Sequence, residues 1–304
     1  MCHPLNRALL PDLVIGGPTA SGKTALAVDV ALKCNGEIIN ADAFQIYQRL
    51  SILTAQPSPE DLARVPHHLI GTLPLSETLD ASQYLALFTQ KIREIRSRHR
   101  SPILVGGTGL YIRTALFGLA PGLPAPDPIL RRELELLSLE QLQTALAQKD
   151  PATFDQIDKQ NPRRLIRALE VCTLTGRSFS SFKHDTNWPH EPIGLWITWP
   201  RETLRERIHL RTKNMLQGGV IDEVQSAIPL LGQTAAQAIG IQPIREYIEG
   251  RSSLESIALQ IETETAQYAK RQNTWFQKES ALRSIPPDEA LEFALETLRK
   301  NQST

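Results

Sequence analysis

The chain has 304 residues, of which 41% are hydrophobic and 22% are charged, and this composition excludes an intrinsically disordered protein. Lys and Arg balance Asp and Glu at 33 each, so a nucleic-acid partner would have to bind a local basic patch. No apolar run approaches the roughly 18 residues that a membrane span needs. The three cysteines have no metal-binding or disulfide spacing, and the N-terminal residues do not resemble a signal or transit peptide. We therefore expect a cytoplasmic protein without a membrane segment.

The first motif is a phosphate loop. Residues 17–24, GPTASGKT, fit the pattern G-x-x-x-x-G-K-[ST]. In such loops backbone N–H groups surround phosphate oxygens, the lysine adds a positive charge and the hydroxyl binds Mg²⁺. An aliphatic run at 12–17 precedes the loop, and apolar residues at helical spacing follow it up to Gly36, which we expect to cap the helix. This β-loop-α unit predicts nucleotide binding, since most such loops hold ATP or GTP.

The next elements alternate between strands and helices. A β-branched run at 37–47 predicts a second strand, residues 82–100 predict a helix, and residues 101–111 predict a third buried strand that ends in glycines. This alternation is typical of an α/β fold in which helices cover both faces of a parallel sheet.

The pattern changes in the middle of the chain. After a proline-rich stretch, residues 131–183 are helix-like and contain no convincing strand. Strand character returns at 193–200, and we expect only helices beyond it. The prediction is a P-loop catalytic core at 1–120 and 191–304, interrupted by a helical insertion domain at 121–190.

Ligands of open parallel sheets bind beyond the carboxyl ends of the strands. The third strand ends in Gly106, Gly107 and Thr108, whereas P-loop NTPases often place a Mg²⁺-binding Asp at such a position. The missing acid disfavours hydrolysis of a γ-phosphate. We expect the glycine pair to let a bulky group, such as a base or a ribose, approach the backbone.

Asp42 follows the second predicted strand and has no Arg or Lys within four residues on either side. Two interpretations stay open from the residues alone. Its carboxylate can accept a proton from a nucleophile as a general base, or it can cap the next helix through the segment DAFQ.

A resemblance to a known family rests on eight blocks in a fixed order, from about Leu13 to Phe276. They read GPTASGKT, IINADAFQIY, TAQP, PHHLIG, LVGGTGLY, NPRRLIRALEV, RTKNMLQGGVIDEV and YAKRQNTWF. The chain thus resembles the bacterial tRNA dimethylallyltransferases, which prenylate the adenosine immediately 3′ of the anticodon, position 37, in tRNAs that read UNN codons.

The resemblance implies that the loop holds the diphosphate of dimethylallyl diphosphate, which leaves when the exocyclic amine of adenine attacks, with Mg²⁺ as cofactor. It implies catalytic roles for Asp42, Thr19, Lys23 and Thr108. Thr24, with Ser21 as a lesser candidate, would serve the metal. The implied diphosphate-binding residues are Gly17, Pro18, Thr19, Ala20, Ser21, Gly22, Lys23 and Thr24.

The resemblance also implies tRNA contacts. The adenine must leave its stack in the RNA to reach the site. NPRRLIR has three arginines in five residues, suited to phosphate contacts, although a solvated helix face is the alternative. Either Arg131 or Arg164 could reach the diphosphate. The implied tRNA-binding residues are Asp42, Ala43, Phe44, Gln45, Thr108, Arg131, Arg163, Arg164, Leu165, Ile166, Arg167, Gln237, Ala238, Ile239, Gly240, Ile241 and Gln242.

Four positions depart from the family pattern. Ala43 stands where serine is usual, Gln56 where lysine is common, and Ile241 and Gln242 where tyrosine and lysine are usual. These changes bear on affinity or on the set of tRNAs rather than on the reaction.

Three other functions are alternatives to tRNA prenyl transfer. An adenylate isopentenyltransferase would use free AMP, but a mononucleotide does not need the helical insert or the arginine cluster. A small-molecule kinase would bind ATP in the same loop, but it would need the missing acid. A non-enzymatic RNA-binding protein leaves the loop and Asp42 without a role. We expect a monomer, because neither a coiled-coil pattern nor an apolar-patch pattern is present.

Overall fold

The computed structural model describes residues 7–182, 188 and 191–302. These residues form two compact units: the smaller lies within Gly118–Thr186, and the larger lies within Pro4–Phe117 and Asn187–Thr304. The predicted boundary at residue 190 falls outside the described residues. None of the helices in the described ranges combines the length and the hydropathy that a membrane crossing requires.

The larger unit is built on a parallel sheet of six strands in the order β3-β2-β4-β1-β5-β6. The strands are β1 Leu13–Gly16, β2 Gly36–Asn40, β3 His67–His68, β4 Ser101–Gly106, β5 Gly194–Ile197 and β6 Leu282–Ile285. Val14 packs into the apolar core on one face of the sheet, and Leu13 and Ile15 pack into the core on the other. Both faces are therefore covered, as the aliphatic strands predict.

Helices surround this sheet and also make up the smaller unit. Those of the larger unit are α1 Lys23–Cys34, α2 Pro59–Arg64, α3 Ala81–Ser97, α4 Gly109–Phe117, α9 Arg201–Gln217, α10 Val220–Ala227, α11 Ile241–Ile248, α12 Leu254–Phe276 and α13 Ala290–Gln302. Those of the smaller unit are α5 Pro128–Glu135, α6 Leu139–Lys149, α7 Pro151–Gln156 and α8 Pro162–Thr175, with no strand among its described residues. The predicted α/β fold with an additional helical part is confirmed.

Three local predictions are wrong. The residue that caps α1 is Asn35, in the left-handed region at φ 53°, and not Gly36. Gly36 instead opens β2, where a Cβ would lie 2.8 Å from Ile103 Cδ1. The second strand ends at Asn40, well before the predicted residue 47. The segment after residue 200 also contains a strand, β6, which is too short for its two buried residues to produce a strand pattern.

Candidate functional site

The phosphate loop lies between β1 and the N-terminus of α1, where backbone N–H groups and the helix dipole favour anions. Gly17 adopts φ +153°, and a Cβ there would lie 2.7 Å from Ser21 Oγ. The loop therefore needs glycine at its first position. Lys23, the first residue of α1, is buried, and its ammonium lies 3.4 Å from the Pro18 carbonyl oxygen.

Side chains from distant parts of the chain hold the outside of this loop. Trp199 Nε1 donates to the Ser21 carbonyl at 2.8 Å, and Arg207 Nε donates to the Ala20 carbonyl at 2.7 Å. The Arg207 guanidinium also lies 4.7 Å from the centre of the Trp199 ring. Ala20 has φ 62°, which disfavours a residue with a Cβ. These contacts stabilise the strained loop in one conformation.

On the inside, Gln272 of α12 joins the loop to the end of β4. Its Oε1 accepts from the Thr19 N–H at 2.8 Å, and its Nε2 donates to the Gly107 carbonyl at 2.9 Å. The expectation that the glycine pair admits a ligand is wrong. A Cβ on Gly107 would lie 2.2 Å from Gln272 Nε2, and one on Gly106 would lie 2.2 Å from the Ala41 carbonyl oxygen. The chain itself occupies the space that the missing side chains leave.

We expect Gly107→Ala to lower the free energy of unfolding by about 1–3 kcal/mol, because the added methyl displaces a buried amide. Equilibrium urea unfolding measures this cost. In a Gln272→Ala background the clash with the amide is absent and only a 3.1 Å approach to the Gly17 carbonyl oxygen remains, so the cost of the same substitution should fall to less than half. Equal costs in the two backgrounds would contradict the assigned contact.

A pocket of about 270 Å³ opens beside the loop, and its lining joins residues from the loop, the β2 end, α9 and α12. Among the predicted site residues, those that line it are Thr19, Lys23, Asp42, Phe44, Gln45, Gln237, Ala238 and Ile239. The remaining lining residues were not predicted from the sequence; they are Leu53, Thr54, Arg211, Thr212, Met215, Ile261, Thr265, Tyr268 and Arg271.

Arg211 is the most informative residue that the sequence analysis missed. Its Nη1 donates to Thr19 Oγ1 at 2.6 Å, so a guanidinium from α9 lies directly beside the phosphate loop. Burial lowers the pKa of Arg211, and the charge of Asp42 opposes this shift. An arginine remains protonated even so. The pocket thus combines three cationic side chains, Lys23, Arg211 and Arg271, with the dipole of α1.

The pKa of Lys23 lies well below that of an ordinary lysine. Burial is the main reason that its pKa falls to about 8; Asp42 raises this pKa, and Arg211 lowers it further. A bound polyanion would reverse the shift, because it favours the protonated lysine. The site is therefore suited to a ligand that carries several negative charges.

Asp42 lies two residues beyond the end of β2. Its Oδ1 accepts from the N–H groups of Phe44, at 3.0 Å, and Gln45, at 3.3 Å. The carboxylate thus caps a turn and also lines the pocket. Asp42 therefore caps the chain through one oxygen as predicted, but residues 43–46 form a turn and not the expected helix. General-base chemistry is compatible with this cap because it uses only that oxygen.

Thr108 forms hydrogen bonds to the two residues that flank Asp42. Its Oγ1 accepts from the Ala43 N–H at 3.0 Å, and its own N–H donates to the Ala41 carbonyl at 3.0 Å. Tyr268 of α12 is hydrogen-bonded to Thr108. Burial, followed by the charge of Asp42, raises the pKa of the Tyr268 phenol, so the hydroxyl stays protonated and can donate.

The oxygen atoms near the loop fit a hard divalent cation. Ser21 Oγ is buried without a hydrogen-bond partner among the described residues, and Thr24 is the second residue of α1. Mg²⁺ commonly takes only one or two protein ligands and completes its shell with water and substrate phosphates. No group of three or more His, Cys, Asp or Glu side chains converges within the described ranges. Any metal here would therefore depend on the phosphate ligand.

The predicted tRNA segment of α8 belongs to the smaller unit. The side chains of Leu165 and Ile166 lie in its core, so packing explains them. Arg163 and Arg164 are exposed on the same helix. Arg167 forms an ion pair within the unit: its Nη1 donates to the buried Glu170 carboxylate at 2.5 Å.

Arg131, also predicted to contact tRNA, binds the same carboxylate. Its Nε donates to Glu170 Oε1 at 2.9 Å and its Nη2 to Oε2 at 3.1 Å. Glu170 is fully buried. Its hydrogen bonds from Arg131 and Arg167 outweigh the effect of burial and hold its pKa below the ordinary range.

The third predicted tRNA segment, residues 237–242, contains both exposed and buried residues. Gln237 is exposed and lines the pocket, whereas Gly240 and Ile241 are buried. Gly240 has φ +100°, and a Cβ there would lie 2.7 Å from Leu53 Cδ1. Gln242 is exposed and donates to Glu246 at 2.9 Å. Ala238 is also buried in the core, so packing accounts for three of these positions.

Comparison with known proteins places this geometry in a family. Residues 45–279 match the family described as IPP transferase. The chain is 42% identical to tRNA dimethylallyltransferase 1 of Citrifermentans bemidjiense, covering 88% of this chain and 89% of that protein. It is 40% identical to tRNA dimethylallyltransferase of Geobacter sulfurreducens, covering 90% and 91%.

A solved structure agrees with these relatives. The crystal structure of full-length tRNA isopentenylpyrophosphate transferase from Bacillus halodurans is 33% identical and aligns with a TM-score of 0.68, over 96% of this chain and 97% of that one. Sequence and fold therefore agree over nearly the whole length, and the chain belongs to the IPP transferase family.

Proposed function

We propose that this protein is a tRNA dimethylallyltransferase. It transfers a dimethylallyl group from dimethylallyl diphosphate to N6 of the adenosine immediately 3′ of the anticodon, position 37, in tRNAs that read UNN codons, and it releases diphosphate. The observation that carries this proposal is the meeting of Thr19, Lys23, Arg211 and Asp42 in one pocket beside the phosphate loop. Thr19, Lys23 and Arg211 can bind an anion, and the Asp42 carboxylate can accept a proton.

In the proposed reaction a C–N bond forms and a C–O bond breaks. The lone pair of the adenine N6 attacks the allylic carbon C1, and the electrons of the C1–O bond leave with the diphosphate. Lys23, Arg211 and the N–H groups of the loop stabilise the charge that develops on the departing oxygens. The Asp42 carboxylate accepts the proton that N6 loses. Thr19 receives the Arg211 hydrogen bond that orients the guanidinium.

We also propose Mg²⁺ as the cofactor, held by the Thr24 hydroxyl with Ser21 as the second candidate. Ser21 Oγ, which is buried without a hydrogen-bond partner among the described residues, supports Ser21 as a candidate. When bound, the ion supplies further neutralisation of the leaving diphosphate. The side chains of the protein, and not the ion, orient the reacting groups.

Binding of tRNA is proposed to use both units. Exposed Arg163 and Arg164 can contact phosphates, which position the RNA without reading its sequence. The adenine must leave its stack to reach the pocket, as in other enzymes that modify bases. The helical insertion at 121–190 is proposed to clamp the tRNA, and the enzyme is proposed to act as a cytoplasmic monomer.

One experiment separates this function from its alternatives. The purified protein is incubated with Mg²⁺, dimethylallyl diphosphate and either unmodified UNN-reading tRNA or AMP, and the nucleosides and RNA fragments are analysed by mass spectrometry. We expect dimethylallyl adenosine at position 37 of the tRNA and little product from AMP. Equal product from AMP would assign an adenylate isopentenyltransferase instead, and no prenylated nucleoside in either arm would overturn the proposal.

The pKa of Lys23 predicts a pH dependence. Free Lys23 loses its proton as the pH rises through about 8, so kcat/KM for dimethylallyl diphosphate should fall about tenfold per pH unit above that value. Bound diphosphate keeps the lysine protonated, so kcat should decline only at higher pH. Initial rates from pH 6.5 to 10 give both profiles.

Lys23→Arg is the control for this assignment, because a guanidinium does not titrate in this range. Its kcat/KM should be lower at every pH but should lack the alkaline decline. The same decline in Lys23→Arg would mean that another group is responsible.

A further inference from the structure

Leu53 and Thr54 line the pocket. They belong to a short turn, residues 50–55, in the connection between β2 and α2. The turn is helix-like, with the Thr54 N–H donating to the Leu50 carbonyl at 3.0 Å and the Gln56 N–H to the Ser51 carbonyl at 2.9 Å. Residues in the left-handed region mark both ends of it: Arg49, at φ 59°, precedes the turn, and Ala55, at φ 48°, is its last residue. Neither is a glycine, so the surrounding structure must stabilise this conformation.

Glu223 of α10 provides that support at the N-terminal end of the turn. Its Oε1 accepts from Ser51 Oγ at 3.0 Å and from the Ile52 N–H at 2.8 Å, and its Oε2 accepts from the Leu53 N–H at 2.8 Å. A carboxylate that accepts N–H groups at the start of a helical turn makes strong, charge-assisted hydrogen bonds. The turn and Glu223 are about 170 residues apart in sequence.

Gln45 supports the opposite end of the turn. Its Nε2 donates to the Ala55 carbonyl at 2.7 Å and to the Thr54 carbonyl at 3.2 Å. Gln45 follows the Asp42 cap, so the turn is connected directly to the proposed base and to the segment proposed to contact tRNA. Glu223 itself does not line the pocket.

We propose that Glu223 is a positioning residue that holds the 50–55 turn, and with it the tRNA side of the pocket, in the conformation that accepts the adenosine. This inference rests on the proposed function. The turn makes no hydrogen bond to the phosphate loop among the described residues, and the diphosphate groups Thr19, Lys23 and Arg211 are held by other contacts. Loss of the Glu223 contacts should therefore affect tRNA binding and leave diphosphate binding unchanged.

Glu223→Gln is the test, with Asp222→Asn as the matched control. Both remove one negative charge from the first turn of α10. The Asp222 side chain is exposed, and among the described residues it is Glu223 that accepts the hydrogen bonds of the turn. We expect Glu223→Gln to raise KM for tRNA about tenfold, the effect of a lost charge-assisted hydrogen bond. KM for dimethylallyl diphosphate should stay within about twofold of wild type, and Asp222→Asn should change neither constant.

Hydrogen exchange provides a second measurement on the wild-type protein, which does not depend on the folding of a variant. The Ile52 and Leu53 amides should exchange slowly, and they should exchange rapidly in Glu223→Gln. Rapid exchange in the wild type, an unchanged KM for tRNA, or an equal rise in both KM values would overturn the inference. A wild-type enzyme that forms no prenylated adenosine would instead contradict the proposed function.

Discussion

Asp42→Asn is expected to lower kcat by at least about 100-fold, the lower range for loss of a general base. Asparagine is nearly isosteric and still presents an oxygen to the N–H groups of Phe44 and Gln45, so the turn that Asp42 caps should persist. Single-turnover prenylation of tRNA measures the chemical step, and filter binding measures the affinity for tRNA. We expect the affinity to stay close to that of the wild type.

Asp42→Ala separates the two roles of this residue. It removes the cap as well as the base, and loss of a cap costs typically about 1 kcal/mol. The alanine variant should therefore match the asparagine variant in turnover but be less stable in urea. If the asparagine variant kept its turnover while the alanine variant lost tRNA binding, the role of Asp42 would be structural.

Arg211→Gln is expected to lower kcat by about 10²–10³-fold, comparable to the removal of one preorganised oxyanion donor. Glutamine can still donate to Thr19, but it carries no positive charge to stabilise the departing diphosphate. Arg211→Lys keeps the charge without the planar fork and should lie between this variant and the wild type. Inhibition by inorganic diphosphate should weaken in the same order.

The neighbouring Arg207 provides a matched control. It lies one helical turn earlier on α9 and contacts the outside of the phosphate loop through the Ala20 carbonyl, but it does not line the pocket. Arg207→Gln should therefore lose much less turnover than Arg211→Gln. Equal losses would indicate that both arginines act by supporting the loop and that Arg211 has no direct role toward the leaving group.

Local sequence patterns predicted the parts of the fold and the site that are encoded locally. The phosphate loop followed from its glycine and lysine spacing, and the parallel sheet followed from aliphatic runs that alternate with helical patterns. Gly36 was assigned to the wrong position because both Gly and Asn adopt the left-handed conformation that ends a helix. The short β3 and β6 strands have too few residues for a pattern.

The missed site residues have a different cause. Arg211 and Gln272 lie on helices about 190 to 250 residues from the phosphate loop that they contact. Tyr268 of α12 is likewise far in sequence from its partner, Thr108. Their spacing could have suggested a shared face, since Thr265, Tyr268 and Gln272 recur at helical intervals on α12. A face shared by polar residues does not reveal what it contacts. The crowding at Gly107 was likewise invisible, because a glycine in the sequence marks a close approach without naming the neighbour.

The phosphate loop is proposed to hold a leaving diphosphate and not a nucleotide that is hydrolysed. The most direct test counts products: diphosphate released and prenyl groups transferred to tRNA are measured in the same reaction, and phosphate release is measured with ATP in place of dimethylallyl diphosphate. We predict one diphosphate for each prenylated adenosine and no tRNA-dependent phosphate release from ATP. Transfer or release of phosphate from ATP, without stoichiometric diphosphate from the prenyl donor, would contradict the account.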